Sequence, residues 1–339
     1  MFRVTSLADM PDAQLNRWIK RLAVVLLIGV VGFVAFYAVD RFRAPAAPLV
    51  DRETAAMEQA VRDDPTDIAS RGRLADLYLA ANRYDDAIAQ YTEIINTGKE
   101  NEQAYVSRGL AYQFQGDLDA AGADFTKVVE IAGDLEMANV DPMLQTAYYG
   151  LGWIALQQAR PQDAVDSLVE ALAIKRTDAD TMNLLGQAYV QVGQPDKAIE
   201  QLRNAILFVP TGWADPYQGL ADAYTAKGET AEAEWASAMA QAMNVLVGGQ
   251  GDTGAAEARL EAIADGDAAL DARIGLGLLA ELRGDNSVAT DWYSRALELD
   301  SESTAAQLGL SRVSTGTQGH PDVMASPGSD TAPDTEGSN

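Results

Sequence analysis

The sequence predicts an all-α protein: a solenoid of about six helix-turn-helix units plus capping helices, set behind one N-terminal transmembrane helix. Three observations predict it. Apolar residues recur at a spacing near 3.6, the period of a helix buried along one stripe, rather than with the alternation of a strand. Glycine and proline fall between those stripes, where helices stop and start. One pattern of small, aromatic and apolar positions returns at intervals of 34 or 35 residues, as in GQAYVQVGQPDKAIEQLRNAI at 186–206.

The first strongly patterned segment is LAVVLLIGVVGFVAFYAV, residues 22–39, with 18 uncharged positions. A helix needs about 20 such residues to cross a bilayer, within a range of about 17–25. Arg17, Lys20 and Arg21 precede it, Asp40, Arg41 and Arg43 follow it, and Trp18 and Tyr37 occupy interfacial positions. A cleaved signal peptide has a shorter apolar region and a small-x-small site, which Ala44-Pro45-Ala46 fits poorly. An uncleaved signal anchor is therefore expected at 22–39, behind a short tail at 1–21. Arg3, Arg17, Lys20 and Arg21 on one side outnumber Arg41, Arg43 and Arg52 on the other. The positive-inside rule then puts the N-terminus in the cytoplasm and the body outside it, in the cell envelope.

Residues 40–50 read as a Pro/Ala linker, and 51–65 as the second half of a repeat that caps the stack's near end. Repeats are expected to start at Ile68, Glu102, Gln145, Ala179, Ala214 and Leu270. In most of them, small positions of a first helix precede a small and a large position of a second; the fifth has Ser237 at the large position. Gly109 precedes Ala121 and Phe125, Gly186 precedes Ala198 and Leu202, and Gly277 precedes Ala289 and Tyr293. Asn82, Gly116, Gly193, Gly228 and Gly284 lie between paired helices, where a left-handed residue ends the first of them. Ala159 stands there in the third unit, followed by Arg160-Pro161, so that turn is expected to be made differently. GDLEMANVDPM, at 133–143, carries an insertion of nine residues, since the repeat starts Glu102 and Gln145 are 43 apart rather than 34. VGGQGDTG, at 247–254, is a glycine-rich break between a main stack at 51–246 and a smaller one at 255–313. Residues 314–339, rich in Ser, Thr, Gly, Pro and Asp, read as a disordered tail.

Composition excludes several chemistries. A net charge of −25 disfavours nucleic acid and anionic lipid surfaces as partners. There is no cysteine and one histidine, His320 in the tail. Thiol catalysis, disulfides, zinc ribbons and iron–sulfur clusters are thus not expected, and neither is any cofactor or metal. Asp265-Gly266-Asp267 lacks the spacing of a calcium loop. No nucleophile–base pair stands out, so the chain is not expected to be an enzyme.

The recurring small–aromatic–small register, with Pro65 and Pro210 between units, resembles the tetratricopeptide repeat family in its membrane-anchored bacterial form. The resemblance covers roughly 51–313. It implies a stack whose first helices line a concave groove for protein or peptide partners. Carried onto this register, that face takes Gln103, Val106, Leu110, Gln113 and Phe114 from the second unit. The third supplies Tyr149, Trp153, Leu156 and Gln157, the fourth Asn183, Gln187, Val190 and Gln191, and the fifth Gln218 and Asp222. The candidate partner-binding residues are Gln113, Phe114, Tyr149, Trp153, Gln157, Asn183, Gln187, Gln191 and Gln218. Their amides suit a peptide backbone and their rings suit an anchor. Almost no basic residue stands on this face, so the carboxylate clamp of some relatives is not expected. The function implied is a membrane-anchored scaffold that assembles an envelope complex. Analogy of fold also allows a chaperone-like factor for exported proteins, such as c-type cytochrome maturation, or a cytoplasm-facing scaffold.

Overall fold

The computed structural model describes residues 49–98, 101–132, 138–210, 212–247 and 253–315. The expected tail and anchor at 1–39, nearly all of the linker, the first five residues of the 133–143 insertion, the centre of the glycine-rich break and residues 316–339 lie outside them. The chain divides into two compact units, Met1–Pro65 and Thr66–Asn339. In the first, the described part is helix α1 (Leu49–Asp63).

Every regular element of the second unit is helical among the described residues. Five pairs come first: α2 (Ile68–Ala80) with α3 (Tyr84–Ile95), α4 (Glu102–Gln115) with α5 (Leu118–Ala132), and α6 (Pro142–Gln157) with α7 (Pro161–Ile174). The other two are α8 (Ala179–Gln191) with α9 (Pro195–Phe208), and α10 (Asp215–Lys227) with α11 (Thr230–Val247). Then come α12 (Gly254–Ile263), α13 (Ala269–Leu282), α14 (Asn286–Leu299) and α15 (Thr304–Thr315). Local chemistry sets the ends. Asp67, Asn101, Asp141 and Asp178 cap α2, α4, α6 and α8 by accepting from backbone N–H groups of the first turn. Pro142, Pro161 and Pro195 open their helices, where a missing N–H costs nothing.

The turn at Ala159 corrects the expectation that it would differ. Ala159 adopts φ 54°, the same left-handed conformation as Asn82 at 58° and the glycines at 116, 193, 228 and 284. Packing of α6 on α7 fixes the geometry, and alanine accepts the strain that glycine avoids.

In four pairs, α4/α5, α6/α7, α8/α9 and α13/α14, a glycine of the first helix faces a large side chain sixteen residues later. Phe125 fits against Gly109 and also against Gly150 of the next unit, where an added Cβ would stand 2.5 Å from its ring. Tyr293 lies in the same way between Gly277 and Gly309. Missing side chains let the helix axes approach, and the large residue fills the gap from the other side. Polar ties reinforce this. Asp124, 4% exposed, accepts two hydrogen bonds from Arg108, at 2.7 and 2.8 Å. Tyr293 donates to Glu281 at 2.8 Å, and Glu281 also accepts from Arg312.

Neighbouring first helices touch directly, α2 with α4, α4 with α6, α6 with α8 and α8 with α10, whereas each second helix leans mainly on first helices. The first helices are thus the more closely spaced layer, the inner face of a curved stack. Helix α12 changes the alternation. It packs on α11 and α13, and α13 lies beside α11, a second helix, rather than beside a first one. Helix α15 then lies beside α13. A single buried cluster runs from Ala155 and Leu168 through Leu202, Tyr217, Trp235 and Met239 to Leu260 and Leu279. Core packing is therefore continuous from α11 to α13, on both sides of the glycine-rich stretch.

Candidate peptide-binding face

The candidate residues sit on α4, α6, α8 and α10, the inner-layer helices. On α4, Gln113 is half-buried and its Oε1 has no hydrogen-bond partner. Phe114 is 62% exposed and stacks on Tyr84 of α3, centroids 6.0 Å apart. Gln103 donates to Ser107 at 3.0 Å, while Val106, placed on this face by the repeat register, is instead buried in the core beside Phe125 and Ile154.

Helix α6 supplies Tyr149, Trp153 and Gln157. Trp153 is half-buried against the same Phe125 cluster, and Gln157 is exposed. Tyr149 is half-buried too. Burial, and then the charges of Asp180 and Asp178 at the start of α8, push its phenol up to about 12. Desolvation and the Asp178 charge in turn raise the Asp180 carboxyl. This rim of α8 is an acidic spot beside an aromatic one, a juxtaposition that spacing alone does not reveal because it needs α6 and α8 side by side.

Helix α8 carries Asn183, Gln187 and Gln191. Asn183 is 4% exposed and its Oδ1 has no partner. Gln187 is half-buried and Gln191 exposed. On α10, exposed Gln218 donates to Asp222 at 3.2 Å, so its amide is already engaged. Among the described residues three buried side-chain polar atoms lack a hydrogen bond, and two are the amide oxygens of Gln113 and Asn183. Both are acceptors on inner-layer helices. Such a group costs about 1–3 kcal/mol while unpaired, so an entering N–H donor gains more there than at an exposed amide.

Three tetratricopeptide-repeat family models match the chain: one over residues 100–177, one over 54–107 and 155–211, and one over 247–304. Among characterised proteins, a Protein CTR9 homolog of Arabidopsis thaliana is 24% identical over 139 residues, 40% of this chain and 12% of that protein. DnaJ homolog subfamily C member 3 of Mus musculus is 27% identical over 154 residues, 43% of this chain and 30% of that protein. The chain thus spans less than a third of the length of these relatives. Among solved structures, a MamA protein aligns with TM-score 0.45 and 24% identity, over 59% of this chain and 95% of that one. YrrB, described as a TPR protein with an unusual peptide-binding site, aligns with TM-score 0.44 and 15% identity, over 75% of this chain and 97% of that one.

Proposed function

The chain belongs to the tetratricopeptide repeat family, and from that premise we propose that it is a non-catalytic scaffold holding an extended protein segment along the inner face of α4, α6, α8 and α10. The observation that carries this is the pair of buried, unpartnered amide oxygens of Gln113 on α4 and Asn183 on α8, with Tyr149 and Trp153 on α6, the helix that touches both. Backbone N–H groups of the segment satisfy the oxygens, and an apolar side chain packs on the rings. Asp178 and Asp180 beside Tyr149, within a chain of net charge −25, favour a neutral or basic segment over an acidic one. The test is to capture the partner with the full chain and then to measure its affinity for Trp153→Ala and Gln187→Ala variants. Weakening by at least about tenfold, or about 1.4 kcal/mol, supports the assignment, and unchanged affinity sinks it.

We further propose that residues 22–39 anchor this scaffold in a membrane with the repeats outside the cytoplasm, as part of an envelope assembly. The support is the uncharged 18-residue run and the excess of basic residues before it. The chain has no cysteine, so Ser329→Cys gives one unique thiol. Labelling of intact cells by a membrane-impermeant maleimide supports an external body. Labelling only after lysis contradicts it and leaves a cytoplasmic scaffold.

A further inference from the structure

The changed alternation at α12 leaves a recess that the inner groove does not use. Between α9, α11, α13 and α15 lies a cavity of about 240 Å3 with mainly apolar walls, among them Tyr217, Trp235, Ile274 and Leu278. A cavity of about 150 Å3 accommodates benzene, so this one has room for a substituted ring. Gly275 keeps it open: an added Cβ would stand 2.8 Å from Met239 Sδ and 3.4 Å from Trp235 Nε1.

The recess also carries an unused donor. Trp235 is 6% exposed, and its indole N–H is the third of the buried polar groups without a partner. The nearby charges are already engaged. Arg203 lies 5.4 Å from the indole centroid, donates to Tyr224 at 2.8 Å and is ion-paired with Asp271. Arg312, on another wall, is held by Glu281. A cationic occupant would meet two guanidinium groups, and an anion would lose its hydration against apolar walls beside Asp271. A neutral ring with an acceptor oxygen meets neither cost.

The mouth says where the ring comes from. Leu207 of α9 and Leu308 of α15 line it and are 37% and 43% exposed. A free small molecule inside would leave both wet, whereas a protein segment carrying the ring would cover them. We propose that this recess takes one tyrosine side chain of a partner protein, as a second docking point lined by none of the candidate groove residues. The phenol oxygen accepts from Trp235 Nε1–H, and the flexible Met239 thioether moves aside to admit it.

The test titrates the full chain, by calorimetry, with the blocked peptide acetyl-Gly-Leu-Tyr-Leu-Gly-amide and its phenylalanine analogue. The tyrosine peptide is expected to bind about fivefold more tightly, the ratio given by about 1 kcal/mol of net hydrogen bonding. Trp235→Phe should erase that preference, and Leu308→Trp, which plugs an exposed mouth, should abolish binding of both. Val169→Ala, on the exposed side of α7 and away from both sites, should leave both unchanged. Equal affinity of the two peptides for the unaltered chain overturns the proposal. So does loss of binding in Trp153→Ala with retention in Leu308→Trp, which puts the peptide in the groove. Binding of p-cresol without binding of the tyrosine peptide overturns it too, assigning the recess to a free phenol. Should Trp235→Phe fail to fold by circular dichroism, Leu308→Trp decides alone. The groove can fail its own test without affecting this one.

Discussion

Leu202 occupies the space that a side chain on Gly186 would need: a Cβ there would stand 2.7 Å from Leu202 Cδ2, and Leu168 meets Gly152 at the same 2.7 Å, 34 residues earlier. The sequence period is this contact repeated. It predicts an inversion of the usual helix propensity. Gly→Ala inside a helix gains about 1 kcal/mol when nothing is in the way. At Gly186 the overpacking costs about 1–3 kcal/mol, so Gly186→Ala should lower the melting temperature by several degrees. At Gly72, where the nearest neighbour is Ile94 Cδ1 at 3.8 Å, the same change should raise it. Thermal unfolding of the two variants, compared in sign, checks this.

The left-handed turn at Ala159 predicts a gain. Ala159→Gly relieves a φ of 54° and should stabilise by about 1 kcal/mol, while Gly193→Ala, at φ 71°, should cost a similar amount. Urea unfolding midpoints read both.

Arg108 and Asp124 form a largely buried ion pair between α4 and α5, and Arg108 also donates to Thr92 at 3.0 Å. Asp124→Ala leaves a largely buried guanidinium with only the Thr92 hydroxyl and the rings of Tyr105 and Tyr112, without a counter-charge, and should cost about 3 kcal/mol or more. Replacing both residues together with apolar ones of similar size should cost much less. A double-mutant cycle measures the difference as a coupling energy.

Tyr149 contributes to the fold's sensitivity to alkali, alongside Tyr91, Tyr217 and Tyr293, whose phenols burial also raises. Its phenol loses a proton near 12 in the folded chain, against an ordinary 10.0. The unfolded chain therefore releases that proton first as pH rises, so unfolding becomes easier. Stability from Tyr149 is complete below about 10, falls between 10 and 12 and is gone above 12. Spectrophotometric titration of tyrosine ionisation should show one late-titrating residue fewer in Tyr149→Phe, and the decline in stability between pH 10 and 12 should be shallower in that variant.

Helix pairing was legible because each unit carries its own punctuation. Expected starts at Ile68, Glu102 and Ala179 coincide with the observed helices, and those at Gln145, Ala214 and Leu270 fall within three residues of them. The change of alternation was not legible. It depends on one short helix, Gly254–Ile263, following a glycine-rich stretch that erases the register. Counting repeats cannot show whether that stretch contains an even or odd number of helices. The candidate face could be read as a set of positions on α4, α6, α8 and α10, but which of them form surface could not. Val106 shares the register of exposed residues yet is buried, its side chain packed into the Phe125 cluster formed by α4, α5 and α6. The phase of a helix says which way a residue points; how near the next helix comes decides whether anything outside can reach it.

In the proposed function the inner face holds a partner through the oxygens of Gln113 and Asn183. The most direct measurement is the affinity of the captured partner segment for Asn183→Leu, which keeps the volume and removes the amide, beside Val169→Ala on the exposed side of α7. Loss of about tenfold or more in Asn183→Leu, with a melting temperature no lower than the parent chain and no change in Val169→Ala, is the predicted result. Full affinity in a folded Asn183→Leu variant would contradict it.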